Sequence, residues 1–210
     1  MQVTDEIRWF FPGAAPAAVL DWFRDGAPIG PSSKRTDIYL PLPDRLGLSV
    51  KLREGRLEIK TQTGPARAVT FCNGVTGEAS PWKKEGYRTQ LFADIERRLA
   101  DPTALHVIKE RHLRKFALQN GGPRGGAMEI SAGEAPQQGC LFEVTQLWLD
   151  GVPSWTIALE AFGSPAPHSH SLDTVAALLF ANAPCPVPLD AAASLSYPQW
   201  LPAQPRSRSS

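Results

Sequence analysis

Basic side chains recur at every second position in two segments of this chain. Lys51 and Arg53 are separated by one residue, and so are Lys109 and Arg111. Because residues two apart on a β-strand lie on the same face, each pair would project from one side of its strand. Several Lys and Arg side chains that converge can offset the hydration that a phosphate anion loses on binding. The spacing therefore favours an anion site built on strands.

Carboxylates also lie on the polar faces of predicted strands. Glu6 and Glu58 lie two residues from Arg8 and Lys60, and Glu143 and Glu160 share a strand face with Thr145 and Thr156. Carboxylates are wanted at a phosphate site when a hard divalent metal bridges protein and phosphate. They can equally pair with cations on the wet face of an antiparallel sheet, where such pairs contribute little. Both interpretations are open from the alternation alone.

The predicted elements are short strands with a few helices. Strands are predicted over residues 4–11, 36–42, 48–53, 56–61, 68–75, 78–82, 106–118, 141–149 and 154–162, and helices over 14–24, 89–99 and 172–182. Glu54-Gly55 and Asp150-Gly151 separate adjacent strands and are typical of tight hairpins. Trp82-Lys83-Lys84 is interpreted as an exposed turn. Many antiparallel strands predict one α+β domain, in which a sheet with helices outside and charges inside closes into a tunnel.

The composition argues against several classes of protein. The chain has 210 residues, with 22 Lys and Arg against 21 Asp and Glu and a net charge of +1. This balance lacks the basic excess of a non-specific nucleic-acid binder. No run approaches about 18 apolar residues, so no membrane span is predicted. Three cysteines without CxxC spacing and an N-terminus that carries acids favour a cytoplasmic protein without a zinc site.

The order of the charged strands resembles the CYTH domain, the triphosphate tunnel fold. The resemblance spans residues 2–180 and depends on the segments EIRWF, SVKLREG, LEIKTQ, IKERHLRKF, FEVTQL and TIALEAFG, in that order. It implies an antiparallel eight-stranded β tunnel in which Lys and Arg bind a triphosphate and Glu residues hold Mg²⁺ or Mn²⁺. We expect one such domain over residues 1–200, followed by a flexible basic tail over 201–210.

The first strand of the family carries the signature ExExK, and this chain departs from it. Glu6 matches the first acid, Arg8 stands in place of the second acid, and Phe10 stands in place of the lysine. The resemblance implies phosphate binding by Arg8, Lys51, Arg53, Lys60, Lys109 and Arg111. It implies metal binding by Glu6, Glu58, Glu143 and Glu160. Because Arg8 puts a cation where the metal would bind, the residues favour anion binding over turnover.

The leading interpretation is a tunnel protein that binds a small phosphorylated anion, such as a triphosphate, a polyphosphate or a nucleotide. If the protein is an enzyme, the resemblance implies a divalent-metal-dependent triphosphatase in which the metal polarises the phosphoryl group. The altered first strand favours an alternative, a non-catalytic scaffold whose lumen charges neutralise each other. A carrier of apolar ligands is a third interpretation, because a register shift of one residue would exchange the two faces of every strand.

Overall fold

The computed structural model describes residues 2–24, 32–87, 104–119, 126–131, 133–163 and 168–204. These residues form the strands β1 Gln2–Pro12, β2 Ser33–Tyr39, β3 Leu48–Arg53, β4 Arg56–Gln62, β5 Arg67–Thr70, β6 Thr76–Tyr87, β7 Leu105–Leu118, β8 Ala127–Ile130, β9 Gln138–Leu149 and β10 Val152–Gly163. The α-helices are α1 Ala17–Arg24, α2 Ser169–Asn182 and α3 Tyr197–Trp200. Short 3₁₀ helices lie at Cys72–Gly74 and Leu201–Ala203.

Eight of the strands in the described residues close into an antiparallel barrel. Their order is β1-β10-β9-β7-β2-β3-β4-β6, and β6 pairs with β1 to complete the circle. β5 pairs with β6, and β8 pairs with β7, as additions to this ring. α1 and α2 pack against the outer face of the barrel. The predicted α+β fold, an antiparallel eight-stranded barrel with helices outside, is confirmed.

Both predicted hairpins are present, and they set the register of the charged strands. Glu54 and Gly55 join β3 to β4 with positive φ angles of 48° and 70°. Asp150 and Gly151 join β9 to β10 in the same way, with φ angles of 50° and 78°. Positive φ at both central residues is the mark of a type I′ turn, whose twist matches that of the paired strands. The turns therefore place charged residues of one strand opposite defined residues of the next.

The apolar faces of several strands point outward, toward the helices. Ile7 and Trp9 of β1 are almost fully buried and belong to one cluster with Phe23 of α1 and Phe180 of α2. Burial of an aliphatic or aromatic side chain contributes about 1.5–3 kcal/mol, so this face is held firmly against the helices. Because side chains alternate along a strand, the residue between these two, Arg8, faces the inside of the barrel.

The C-terminal segment, residues 193–203, lies across one end of the barrel. The amide of Phe10 donates to the carbonyl of Ala193 at 2.9 Å, and the amide of Leu195 donates to the carbonyl of Arg8 at 3.0 Å. β6 pairs with β1 only over residues 2–6 of β1. Beyond these residues, the C-terminal segment pairs with the free edge of β1. α3 follows directly and enters the end of the barrel.

An apolar plug fills that end of the barrel. It consists of Phe10, Tyr39, Leu105, Val107, Leu147, Leu149, Trp200 and Leu201, with Leu195 and Tyr197 packed against it. Phe10 stacks on Trp200 with ring centroids 4.8 Å apart and meets Tyr197 edge-on at 5.2 Å. Stacked and edge-to-face rings add to the energy of their burial. The lumen is therefore closed at this end, and Phe10 belongs to the plug rather than to the charged part.

Several elements differ from the prediction. β6 runs from Thr76 to Tyr87, so Trp82-Lys83-Lys84 lies within a strand, paired on both sides, and is not an exposed turn. β8 and α3 are absent from the predicted elements. The predicted helix over 89–99 and residues 205–210 of the predicted tail lie outside the described residues, and the domain boundaries stay predictions. In the described ranges, no helix is long and apolar enough to span a bilayer.

Candidate functional site

The lumen of the barrel is a cavity whose empty space, together with the open solvent at its mouth, is about 1040 Å³. Every predicted site residue lines this cavity, namely Glu6, Arg8, Lys51, Arg53, Glu58, Lys60, Lys109, Arg111, Glu143 and Glu160. They come from six strands and meet because the closed barrel directs one face of each strand inward. The structure thus brings the predicted cations and carboxylates together, and such a charged lumen does not suit an apolar ligand.

Asp37 lies at the centre of a cluster of cations on one side of the lumen. Arg53 grips it with two bonds, Nε to Oδ1 at 2.8 Å and Nη2 to Oδ2 at 2.9 Å. Lys51 lies 3.1 Å, Lys109 3.2 Å and Arg35 3.4 Å from the same carboxylate. Burial alone would raise the pKa of Asp37, but these cations hold it far below its usual value. Asp37 is therefore a permanent anion shared by four cations.

Glu58 of β4 is shared in the same way. Its carboxylate lies 3.3 Å from Lys51, 3.4 Å from Arg53 and 3.3 Å from Lys84. We call this part of the lumen the cationic side, and it comprises Arg35, Lys51, Arg53, Lys84 and Lys109 with Asp37 and Glu58. Five cations share two carboxylates there, so three positive charges are left without a matching acid among these residues.

The pKa values of two lysines reflect this excess of positive charge. Burial lowers the pKa of Lys51 to about 8, and Arg53 acts in the same direction against Asp37 and Glu58. Burial also lowers the pKa of Lys109 well below its usual value, and the surrounding cations contribute to the shift. A cation whose charged form is disfavoured in this way would be stabilised by an anion that entered the cavity.

Two tyrosines cover the inner end of the cationic side. Nζ of Lys109 donates to the hydroxyl of Tyr39 at 2.8 Å and lies 3.6 Å from the centroid of the Tyr197 ring. The guanidinium of Arg8 lies 5.1 Å from the same ring. A cation over an aromatic face is attracted by the electron density of the ring. The plug therefore contributes polar and aromatic contacts to the charged part of the lumen as well as closing it.

The opposite wall, which we call the balanced side, comprises Arg8, Lys60, Arg111, Glu6, Glu143 and Glu160. Arg8 connects two acids, with Nε 3.0 Å from Glu6 and Nη2 2.5 Å from Glu143. Lys60 contacts the second oxygen of Glu6, and Arg111 lies 3.7 Å from the second oxygen of Glu143. Burial would raise the pKa of Glu6, but Lys60 and Arg8 lower it to about 2.

The two sides together carry a positive excess. Glu160 stands opposite Glu6 in the register of β1 and β10, so the balanced side has three cations and three acids. Glu78, which is exposed, also lines the cavity. Including Asp37, the described part of the lumen holds eight cations and six carboxylates. The excess is located on the cationic side, at the strands β2, β3, β6 and β7.

The carboxylates do not form a ligand set for a divalent metal. In the part of the chain that the structure describes, no group of three or more His, Cys, Asp and Glu side chains is placed to hold a metal ion. Glu6 and Glu143 are both bound to Arg8, and Glu58 lies on the other side with its own three cations. Mg²⁺ and Mn²⁺ need carboxylate oxygens that are free to coordinate. The donors in the structure therefore do not fit either metal.

Several residues of the lumen are not among the predicted site residues. Arg35, Asp37 and Tyr39 alternate along β2, which is the same signal that identified Lys51 and Arg53 on β3. The predicted strand begins at residue 36, which leaves Arg35 outside it. Lys84 lies in the segment interpreted as an exposed turn, and Glu78 and Trp82 lie on the strand predicted over 78–82 but are not among the predicted site residues. Tyr197 carries no signal, because nothing local indicates that the C-terminal segment enters the barrel.

The likeness of this chain to known proteins is one of structure, and it is weak. No protein-family model matches the chain, and no curated protein matches it. A solved structure from Hippeastrum, described as a "putative adenylyl cyclase" with a dominant triphosphatase activity, is similar over 76% of this chain and 79% of that chain. The TM-score is 0.32 and the sequence identity is 9%. The functional assignment therefore depends on the geometry of the lumen.

Proposed function

We propose that the lumen binds a small, multiply charged phosphate anion of the triphosphate or polyphosphate type. The observation that supports this is the charge of the cationic side, where, among the residues that the structure describes, five cations share Asp37 and Glu58 inside a closed barrel. Buried charges of one sign are costly unless a partner offsets them. An anion in the cavity would supply that partner.

The types of cation suit phosphate oxygens. The guanidinium of Arg53 can present a fork of donors, whereas Lys51 and Lys109 act as point charges. A phosphate chain carries several acceptor oxygens, and the Lys and Arg side chains that line the cavity are all hydrogen-bond donors. Charge and hydrogen-bonding capacity therefore favour the same class of guest.

The proposed function is binding of the phosphate anion without its hydrolysis. The CYTH resemblance implies a metal-dependent triphosphatase, but three of the four carboxylates that would hold the metal, Glu6, Glu58 and Glu143, are already bound to cations. We therefore derive no step that uses a metal. The partner proposed is a triphosphate, a short polyphosphate or the phosphate chain of a nucleotide, which share this chemistry.

A second candidate function is a non-catalytic scaffold with a self-neutralised lumen. It is favoured by one observation: each of the eight lumen cations lies within 4.0 Å of a carboxylate. In a scaffold these pairs would serve only to hold the strands together, although buried ion pairs often add little net stability. The two functions differ in whether the wild-type protein binds an anion at all.

Isothermal titration with sodium tripolyphosphate separates the two functions. We expect binding to the wild-type protein, and a loss of at least about tenfold in affinity for Lys51→Glu combined with Arg53→Glu, because two attractive charges become repulsive. Lys83→Glu is the matched control, since Lys83 lies on β6 but outside the lumen and pairs with Glu85 at 3.1 Å. Absence of heat with the wild-type protein, at concentrations that detect micromolar binding, would refute anion binding and favour the scaffold.

A further inference from the structure

We propose that Arg8 takes the place of a metal ion in the lumen, so that the anion is bound without any divalent cation. This inference rests on the proposed function and specifies the conditions under which the site operates. The contacts of Arg8 with Glu6 on β1 and with Glu143 on β9 support it. The binding energy would then come from side-chain cations alone, on both sides of the cavity.

Arg8 is fixed at the centre of the balanced side. Its Nε lies 3.0 Å from Oε1 of Glu6 on the same strand, and its Nη2 lies 2.5 Å from Oε1 of Glu143 on β9. Its Nη1 donates to Oγ1 of Thr156 on β10 at 2.9 Å. The guanidinium therefore joins three neighbouring strands, and only 5% of its side chain is exposed.

Every oxygen of the two acids faces a cation. Lys60 contacts Oε2 of Glu6, and Arg111 lies 3.7 Å from Oε2 of Glu143. A divalent metal between these acids would have to displace the guanidinium of Arg8 and accept two further cations as neighbours. Both changes oppose binding, because like charges repel strongly at such distances where water is scarce. The balanced side is thus filled by its own cation.

An arginine is suited to this position because it stays charged. The guanidinium does not lose its proton at any pH at which proteins are stable. Burial would lower the pKa of Arg8, but Glu143 and Glu6 raise it well above its usual value. The cation is therefore present whether or not metal ions are available, and it holds the two acids apart from the guest.

The first test uses the wild-type protein. Tripolyphosphate is titrated in EDTA and then in excess Mn²⁺ or Mg²⁺, and we expect binding in EDTA that the metal does not strengthen. Since these metals also bind tripolyphosphate itself, Mn²⁺ alone is titrated in a second measurement, with the free ion followed by electron paramagnetic resonance. We expect the wild-type protein not to bind Mn²⁺.

The second test uses Arg8→Glu, with Arg8→Lys as the matched control. Glu at position 8 would stand beside Glu6 and Glu143, and three carboxylates are a suitable ligand set for Mn²⁺. We expect this variant to bind Mn²⁺ and to bind tripolyphosphate about tenfold or more weakly in EDTA than in Mn²⁺. Arg8→Lys keeps the cation and should bind tripolyphosphate in EDTA without binding Mn²⁺.

The outcomes distinguish this inference from the function on which it rests. If tripolyphosphate binds the wild-type protein only when metal is present, the inference is wrong and the proposed function stands. If the wild-type protein binds neither tripolyphosphate nor Mn²⁺ under any condition, the proposed function fails first. If Arg8→Glu does not fold, binding of Mn²⁺ to the wild-type protein still decides the question, because such binding contradicts the inference.

Discussion

Single carboxylates in the lumen are each shared by several cations. Lys51 shows the consequence: it contacts Asp37 at 3.1 Å and Glu58 at 3.3 Å, yet Arg53 uses the same two acids. The centroid of the Tyr39 ring lies 5.5 Å from Nζ of Lys51, but the ring is neutral and is not a third anion for this lysine. Because neither acid belongs to Lys51 alone, burial can lower its pKa to about 8. The protonation of this lysine is therefore sensitive to whatever enters the cavity.

We expect the affinity for tripolyphosphate to fall as the pH rises through about 8, the pKa of Lys51 in the free protein. A bound anion favours the protonated lysine and raises its pKa, so a proton is taken up on binding above that pH. Titration calorimetry in buffers of different ionisation enthalpy, from about pH 7 to about 9.5, measures both the affinity and the proton uptake.

Lys51→Arg is the matched variant for this prediction. The guanidinium keeps its charge over the whole range, so the fall in affinity above pH 8 should be smaller and the proton uptake should decrease. Ionisation of the tripolyphosphate itself is the same in both titrations and cancels in the comparison. Identical pH profiles for the two proteins would show that Lys51 does not contact the guest.

Among the elements of the described chain, the C-terminal segment closes one end of the barrel. Trp200 is 4% exposed, stacks on Phe10, and meets Tyr197 edge-on with centroids 6.1 Å apart. Tyr197 in turn covers Lys109 at 3.6 Å. The segment therefore links the apolar plug to the cationic side. Closure of the barrel end and placement of the cations depend on the same contacts.

We expect Trp200→Ala to lower the free energy of unfolding by about 3–5 kcal/mol, because the substitution leaves a cavity in the plug. It should also weaken tripolyphosphate binding, since Tyr197 loses its support. Urea unfolding and titration calorimetry measure the two effects. Trp148→Ala is the control, because Trp148 lies on the outer face of β9 against Lys34 and away from the lumen. Unchanged anion affinity in Trp200→Ala would mean that the plug does not position the cations.

In the molecule as a whole, the barrel wall separates the charges of the lumen from those of the outer surface. The chain as a whole has a net charge of +1, while the described lumen has eight cations and six carboxylates. Near neutrality outside the lumen and a positive interior are compatible because the wall separates the two environments. Four acids of the interior, Glu6, Asp37, Glu58 and Glu143, have lowered pKa values, which links the stability of the barrel to pH.

We expect the barrel to lose stability when the pH falls from about 4.5 toward 2. The pKa of Glu6 is lowered from 4.5 to about 2 in the folded protein, so its stabilising effect is full above 4.5 and is lost as the pH falls through 2. This contribution amounts to about 3 kcal/mol at most. Urea unfolding at a series of pH values measures the slope.

Glu6→Gln is the matched variant for the acid range. It removes the titrating group, so the dependence of stability on pH between 4.5 and 2 should become flatter. Stability at neutral pH should fall, because Arg8 and Lys60 lose a buried partner. An unchanged slope in this range would assign the acid sensitivity to other carboxylates of the lumen.

The prediction from sequence succeeded where the signal is local. Alternation of charged and apolar residues on β3 and β7, and the Gly-containing turns at residues 55 and 151, were enough to orient the strands. It failed where the signal is distant in the chain. Nothing near Trp200 indicates that its partner is Phe10. Nothing near Asp37 indicates that four cations share it, one on its own strand and three on the two neighbouring strands.

From the residues alone, Gly-containing turns predict two antiparallel hairpins. The two-residue period of a strand predicts that Lys51 shares a face with Arg53, and Lys109 with Arg111. Folding of the whole chain adds the contacts of Arg8 with Glu6 and Glu143, the sharing of Asp37, and the closure of one barrel end by residues 193–203. The reason is that pairing between residues far apart in the chain depends on where the closed barrel places them.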